Sequence, residues 1–315
     1  MKISVLMSAF NAEKYISQAI ESILKQTCDD FEFIILNDGS TDKTREIIQN
    51  YTKQDKRIRL INNNKNFGLT RSLNIGLEEA RGKYIARIDA DDLSEPERLQ
   101  KQYEFMEANP EYALAGSWVK IIDSEGREMT VRKLPTDIKL IKFNFIFGKP
   151  CLWHSSIFFR KEEMDKVGNY DEEYKYSQDL NLYVRLLKTK KITNVPEFLI
   201  QHRLHSNSIG KNNSEAQHSF YLKAIHELIN NYYHISREEL ELRDRARNQK
   251  INKLKDLKIA LKIDKKIYIN FLVKEKLDEE QVREAEKTYN RKKIFIIKGY
   301  FKNKLPKLYQ WLKNK

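Results

Sequence analysis

Four residues, Asp89-Ala90-Asp91-Asp92, follow directly on the apolar run Lys83 to Ile88 (KYIARI). In an extended segment the carboxylates of Asp89 and Asp91 point to the same side. Two acids so placed can divide the work, one accepting from a ribose hydroxyl and one binding a hard cation. Mg2+ or Mn2+ at such sites takes one or two carboxylates, with phosphate oxygens and waters completing the octahedron. The same residues also read as a solvated turn with acidic helix-capping groups. Asp38 closes another apolar run, Phe31 to Leu36 (FEFIIL), and is costly there unless something pairs with it. Asp179 precedes Leu180 to Leu187 (LNLYVRLL), where it reads as an N-cap. Trp118 and Trp153 read as rings that stack on a ligand or as wall filler, and His154 and His202 as structural or ligand-lining.

These groups need elements to hold them, and the first hundred residues alternate strand and helix. Lys2 to Phe10 reads as a buried strand, Ala12 to Gln26 as an amphipathic helix, and Phe31 to Leu36 as a second strand. Ser40 or Thr41 is placed to cap the next helix, through Ile47, Ile48 and Tyr51. A third strand covers Arg57 to Ile61, a third helix Gly68 to Ala80 and a fourth strand Lys83 to Ile88, with a helix from Ser94 to about Asn109. Strands joined in this way form right-handed parallel crossovers, and ligands gather at their carboxyl ends. Asp38 and Asp89 to Asp92 fall on that edge. Tyr112 to Asp123 is strand-like, residues 140–200 mix strands and helices, and helical patterning dominates from about Ser214.

Several stretches resemble family 2 glycosyltransferases, in the family's order and roughly its spacing. They are SVLMSAFNAEKYISQAIESILKQT, FEFIILNDGSTDKT, NKNFGLTRSLNIGLEEARGKYIARIDADD, HSSIFFRKEEMDKVGNYDEEYKYSQDLNLYVRL and HRLHSNSIG. The resemblance covers about residues 1–210. It implies an α/β protein with the A-type glycosyltransferase fold, a Rossmann-like mixed sheet with flanking helices, plus a C-terminal helical extension. Residues 1–215 would be the catalytic domain and 216–315 a basic helical region. The resemblance further implies that Ala9, Phe10, Asn11 and Glu13 line the nucleotide pocket and that Asp38 accepts from the base, usually uracil. Asn66 and Arg71 would contact base or diphosphate, Asp89 with Ala90 the ribose side, and Asp91 with Asp89 the metal, Mn2+ or Mg2+. His205 of the closing segment would reach the metal or the diphosphate, or else be a surface-loop histidine. Asp179 stands where the family keeps its catalytic base, with Gln178 where many members have Glu. Such a base takes the proton of an acceptor hydroxyl as the nucleotide leaves, and one base opposite a metal-held leaving group implies inversion. The donor would be a UDP-sugar carrying a hexose or N-acetylhexosamine. The acceptor would be a saccharide or lipid-linked saccharide in surface polysaccharide synthesis.

Composition narrows the alternatives. From Arg243 onward there are 23 Lys+Arg against 9 Asp+Glu, while residues 1–242 hold 35 against 36. The basic surplus belongs to the tail, so no nucleic acid is expected as ligand of the site. In the tail, RKKIFIIKGYF (Arg291 to Phe301) and LPKLYQW (Leu305 to Trp311) suit an interfacial helix on an anionic membrane, or a solvated bundle face. No glycine precedes Gly39 and no Gly-Lys-Ser/Thr loop occurs. That disfavours a dinucleotide fold and a nucleotidyltransferase's triphosphate cradle. A glycoside hydrolase would use two carboxylates without metal or nucleotide. A nucleotide-sugar-binding protein without transfer is the remaining alternative. Cys28 and Cys151 match no zinc spacing and fit a reducing compartment. Without a secretory signal or spanning segment, the expected location is cytoplasmic, peripheral on the inner face of the membrane.

Overall fold

The computed structural model describes residues 2–205, 214–304 and 306. Its strands in chain order are β1 (Ile3–Ala9), β2 (Phe31–Asn37), β3 (Ile58–Asn62), β4 (Tyr84–Asp89), β5 (Leu93–Ser94), β6 (Tyr112–Ile122), β7 (Glu128–Arg132), β8 (Phe158–Arg160) and β9 (Lys191–Arg203). They form one sheet ordered β3-β2-β1-β4-β8-β6-β9-β5, with β7 paired to β6. β3, β2, β1 and β4 are mutually parallel. β8 then runs antiparallel to β4 and to β6, and β9 is parallel to β6. The parallel part is sequence-driven: β1, β2 and β4 are buried runs of aliphatic residues, as strands covered on both faces must be.

The helices of this half are α1 (Ile16–Leu24), α2 (Thr44–Gln54), α3 (Leu69–Glu79) and α4 (Arg98–Ala108). Ile16, Ala19, Ile20 and Ile23 of α1 pack into the same cluster as Val5, Phe33 and Ile35. Two boundaries differ from expectation for a physical reason. α1 is regular from Ile16 and not from Ala12, because the chain first makes a tight turn in which the Tyr15 and Ile16 N–H groups share the Ala12 carbonyl. The N–H groups of Asn11, Ala12 and Glu13 go to Ser40, Thr44 and Asp42, and Ser40 and Thr41, facing this turn, do not cap α2. Ser40 accepts from Asn11, Thr41 donates to the Asn11 side chain, and Asp42 accepts the N–H of Thr44. The helix expected from Ser94 begins at Arg98, since Leu93 and Ser94 pair with β9 as a short strand.

The chain divides into two compact units, Met1–Ile138 with Cys151–Tyr221, and Lys139–Pro150 with Leu222–Lys315. The first holds the sheet, α6 (Lys161–Val167) and α7 (Gln178–Leu186), which follow α5 (Ile138–Ile146) in the chain. The second is helical: most of α5, the end of α8 (Ser214–Asn230), α9 (Arg237–Arg247), α10 (Leu254–Glu275) and α11 (Glu279–Lys304). Its aromatic centre stacks Phe143 on Phe147 at 4.4 Å and Tyr268 on Tyr289 at 4.4 Å. Beside it Asp264 is buried with Arg243 at 2.6 Å and Arg247 at 3.0 Å, and both arginines donate to the carbonyl of Ile146. The tail stretch Arg291 to Phe301 lies in α11, where Ile296 and Gly299 are buried while Ile294 and Phe295 stay exposed. Of Leu305 to Trp311, only Pro306 is among the described residues. No helix among the described residues is long and apolar enough to cross a membrane.

One charge inside the parallel sheet is fully provided for. Glu32 on β2 is buried and accepts from the Ser4 hydroxyl at 2.7 Å, the Arg59 guanidinium at 2.7 Å and the Arg81 N–H at 2.8 Å. Burial pushes its pKa up, but these donors outweigh burial and hold it below the usual 4.5. Its stabilising effect is therefore complete above about pH 4.5 and fades as pH falls through the lower folded value. Glu32→Gln should lower the unfolding free energy by about 1.5–3 kcal/mol at pH 7. In urea unfolding that deficit should shrink in acid; a deficit independent of pH would contradict the account.

Candidate active site

The register sets the ends of β1, β2 and β4 level: Ser8 lies opposite Asp89, and Ala9 opposite Asn37. Asp38 and Asp89 thus stand on one sheet edge with β1 between them, about 10 Å apart by two strand spacings. Beyond β4 the ligand atoms of Asp89, Asp91 and Asp92 lie within 4.8 Å of one another.

Each of the three acids is held differently. Asp92 has no solvent exposure; it accepts from the Ser155 hydroxyl, from His202 Nδ1 at 3.0 Å and from the Arg203 N–H at 2.9 Å. Asp89 faces the buried guanidinium of Arg87, which donates to both of its oxygens, one at 2.6 Å. Asp91 accepts at 2.7 Å from His205 Nε2, whose ring lies 5.0 Å from that of Tyr15. Burial is the main cause that pushes Asp89 up, with Asp92 adding to it and Arg87 opposing, although a third of its side chain meets solvent. Burial likewise drives Asp91 to about 6, helped by Asp92 and Asp89 and resisted by His205. Negative charge is thus left over at Asp91. The Asp89, Asp91 and Asp92 carboxylates form an oxygen donor set that fits Mn2+ or Mg2+, with the His205 ring hydrogen-bonded to Asp91 beside it.

Asp179 enters from another direction. It lies in the first turn of α7, half-buried, behind Ser177 as N-cap with φ 55°. Asp179 is therefore not itself the N-cap. Burial raises its pKa, opposed by the Leu180 N–H and by Arg87, while Asp89 adds to the rise. Asp179, Arg87 and Asp89 therefore sit close enough to sense one another's charge. Tyr170, also within reach of Asp179, Arg87 and Asp89, shares a 2.8 Å hydrogen bond with His154 Nε2. Burial first, then Arg87, holds His154 well below its usual pKa, so the ring is neutral. α3 fixes this segment, since the Asn74 side chain bonds the Tyr170 backbone in both directions, at 2.8 and 3.0 Å.

The remaining residues expected at the site lie along the β1 and β2 ends. Ala9 and Ala90 are buried and Phe10 is 47% exposed. Asn11, at φ 49°, and Glu13 tie the β1–α1 turn to residues 40–44; Glu13 accepts the Lys43 N–H at 3.0 Å. The Asp38 carboxylate is met by donors of the chain itself. It accepts from Asn63 Nδ2 at 2.8 Å, the Phe67 N–H at 2.9 Å and the Gly68 N–H at 2.9 Å. Gly39, at φ +69°, lets that loop close in, because a Cβ there would come within 2.5 Å of the Lys65 carbonyl carbon. Asn66 accepts the Gly68 N–H and Arg71 stacks on Phe67 at 4.5 Å. A surface depression of 680 Å³ lies beside Glu13, Thr41, Asp42 and Arg45, with none of the clustered aspartates in its lining. Trp118 donates to the Leu134 carbonyl and Trp153 meets His202 edge-on; both pack on the cluster of Val119, Ile121, Leu134 and Ile200.

Two buried arginines carry much of this and were not singled out from the sequence. Arg203 donates to the carbonyls of Asp91, Asp123 and Ser124 and to Gln18, and stacks on Tyr15 at 4.7 Å. Arg87 neutralises Asp89. Arg87 has one sequence signal, a basic residue inside an otherwise apolar strand; Arg203, closing the mixed stretch QHR of β9, has none.

The chain matches Glycosyl transferase family 2 over residues 4–168, and it belongs to that family. It is a glycosyltransferase. Among its relatives, an uncharacterized glycosyltransferase of Methanocaldococcus jannaschii is 37% identical over 71% of this chain and 79% of that protein. The O-antigen biosynthesis glycosyltransferase WbnJ of Escherichia coli is 32% identical over 66% of this chain and 82% of that protein. The amylovoran biosynthesis glycosyltransferase AmsE of Erwinia amylovora is 31% identical over 66% and 78%. Of solved structures, S. aureus TarS 1–349 in complex with UDP-GlcNAc aligns with a TM-score of 0.61 at 17% identity over 96% of this chain and 92% of that one. Its complex with UDP gives 0.58 at 18% identity over 92% of each chain. That likeness establishes the A-type glycosyltransferase fold.

The surplus charge at Asp91 has a measurable cost. A carboxyl raised above its unfolded value of 3.8 stabilises the fold while protonated and loses that contribution as pH rises through about 6. After chelator treatment, Asp91→Asn should therefore be more stable than the parent at pH 7, by on the order of 2 kcal/mol, and no more stable near pH 4. Equal urea midpoints for the two proteins at pH 7 would show that the charge is already balanced.

Proposed function

We propose that the protein transfers a hexose or N-acetylhexosamine from a UDP-sugar to a saccharide hydroxyl, with inversion. The observation that carries this reading is the meeting of acids from separate elements. Asp91 bonds His205 at 2.7 Å, and Asp179, from α7, is near enough to Asp89 and Arg87 to sense their charge. Asp179 takes the proton of the acceptor hydroxyl as that oxygen bonds to C1 of the sugar. The bond from C1 to the diphosphate oxygen breaks, and UDP leaves. A raised pKa makes the carboxylate a better proton acceptor at neutral pH. Asp89, already aligned by Arg87, faces the ribose, while Asp91 and His205 would hold Mn2+ or Mg2+. When bound, the cation would supply Lewis-acid stabilisation of the leaving diphosphate. Asp38 acts here by fixing the Phe67–Gly68 wall of the nucleotide pocket, with Asn66 and Arg71 on its rim. Ala9, Phe10, Asn11 and Glu13 form the opposite wall.

The UDP complexes of TarS and the polysaccharide relatives support the donor and acceptor classes. Residues 1–215 make up the catalytic region in this reading. A cell-surface polysaccharide or its lipid-linked precursor is the fitting product. It would be made in the cytoplasm, with residues 216–315 holding the enzyme to the inner face of the membrane. Family membership disfavours a silent binding module or a nucleotidyltransferase.

A donor screen that follows nucleotide release with and without Mn2+ tests the reaction. Asp179→Asn should lower kcat by about 10²–10⁴-fold with donor affinity retained; parental turnover in this variant would rule Asp179 out as the base. His205→Ala should raise the Mn2+ concentration for half-maximal activity at least about tenfold. An unchanged requirement would remove His205 from the metal site.

A further inference from the structure

α10 carries a second pattern on the side away from its unit's core. Its inner face is Leu257, Ala260, Ile263, Ile267 and Phe271, all buried. The opposite face, at helical spacing, holds Lys255, Lys258, Lys262, Lys265 and Lys266, all exposed. Between these lysines Ile259, Ile269 and Val273 are 38%, 45% and 73% exposed. From Ile259 to Val273 that row runs about 21 Å along the helix. No acidic side chain of α10 offsets it. Asp264 is buried between Arg243 and Arg247, Glu275 is taken by Lys142 and Tyr232, and Asp256 is half-buried at the first turn. Among the described residues Lys255, Lys258, Lys262 and Lys265 make no ion pair.

Exposed aliphatic groups gain by leaving water, and a row of like charges gains by meeting opposite charge. One surface satisfies both at once. We propose that this face of α10 docks on an anionic lipid bilayer. Ile259, Ile269 and Val273 sink to the acyl boundary, and the lysine stems reach back to the headgroup phosphates. The inference rests on the membrane association proposed above and names the surface that makes it, which is not the Arg291 to Phe301 stretch. A second copy of the chain does not fit, since two-fold pairing would lay lysines against lysines. A nucleic acid would engage the lysines but leave the aliphatic row in water, and the face exposes neither arginine nor an aromatic ring for stacking on bases.

The test is co-sedimentation of the full chain with phosphatidylcholine vesicles, with and without phosphatidylglycerol. The parent should bind only the anionic vesicles, and less as salt rises. Each lysine near the surface is worth about fivefold, so Lys258→Gln/Lys262→Gln/Lys265→Gln should weaken binding on the order of 100-fold. Ile269→Ser/Val273→Ser should weaken it by about tenfold or more with all charges retained. All five positions are exposed, so melting temperature and helix content should match the parent; where they do not, Ile259→Ser with Lys266→Gln replaces the variant. If the parent binds and both variants bind equally well, α10 is the wrong surface although membrane association stands. No parental binding would end both ideas. Loss in the lysine variant with full binding by the serine variant would mark a general polyanion surface and overturn the lipid assignment.

Discussion

A carboxylate shut off from water must be met by donors, and Asp92 collects them from remote parts of the chain. Ser155, the His202 ring and the Arg203 N–H all converge on it. That requirement draws the end of β4, the segment before β8 and the end of β9 to one place. Asp89 and Asp91 are carried along, because they are neighbours of Asp92 in sequence. It also sorts the cluster. Asp92 is met by the fold's own donors and Asp89 by Arg87, yet burial still leaves both Asp89 and Asp91 raised in pKa. Local accumulation of like charge is normally relieved by protonation or by a cation.

The parallel half of the sheet was legible because its signals are local. β1, β2 and β4 are continuous apolar runs, and the helices between them have one apolar face each. Helix starts were less legible. α1 begins four residues late because a turn closed on the Ala12 carbonyl precedes it, and no periodicity separates such a turn from the helix it leads into. The antiparallel half depends on pairings between distant segments, such as Leu93–Ser94 with β9, which a linear reading does not fix. At the site, the spacing of Asp89 and Asp91 placed them together directly. The approach of His205 and Asp179 to that group was expected only through family resemblance. Arg203 escaped notice because its partners, the carbonyls of Asp91, Asp123 and Ser124 and the Gln18 side chain, become neighbours only on folding. Arg87 lies two residues before Asp89 in one strand, but its burial does not show in that spacing.

Residues 139–150 show the same limit at the level of the units. Nothing in their composition separates them from the segments on either side, yet they pack with the C-terminal helices. The reason is the Ile146 carbonyl, which receives both arginines of the Asp264 cluster. A single acceptor at a helix end, serving two cations that share one carboxylate, binds this insertion to a region about a hundred residues away in sequence. Stretches rich in Lys and Arg therefore hide two kinds of positive charge: buried arginines that organise the helical unit, and lysines that only face outward.

Asp38 has a consequence for binding. Its oxygens already accept from Asn63 and from the N–H groups of Phe67 and Gly68. A carboxylate has about four lone-pair sites, and only one of these three donors falls on Oδ2, so that oxygen can accept one more without giving any up. A ligand donor arriving there would meet a group whose orientation the Phe67–Gly68 turn has already fixed, and little side-chain freedom would be left to lose.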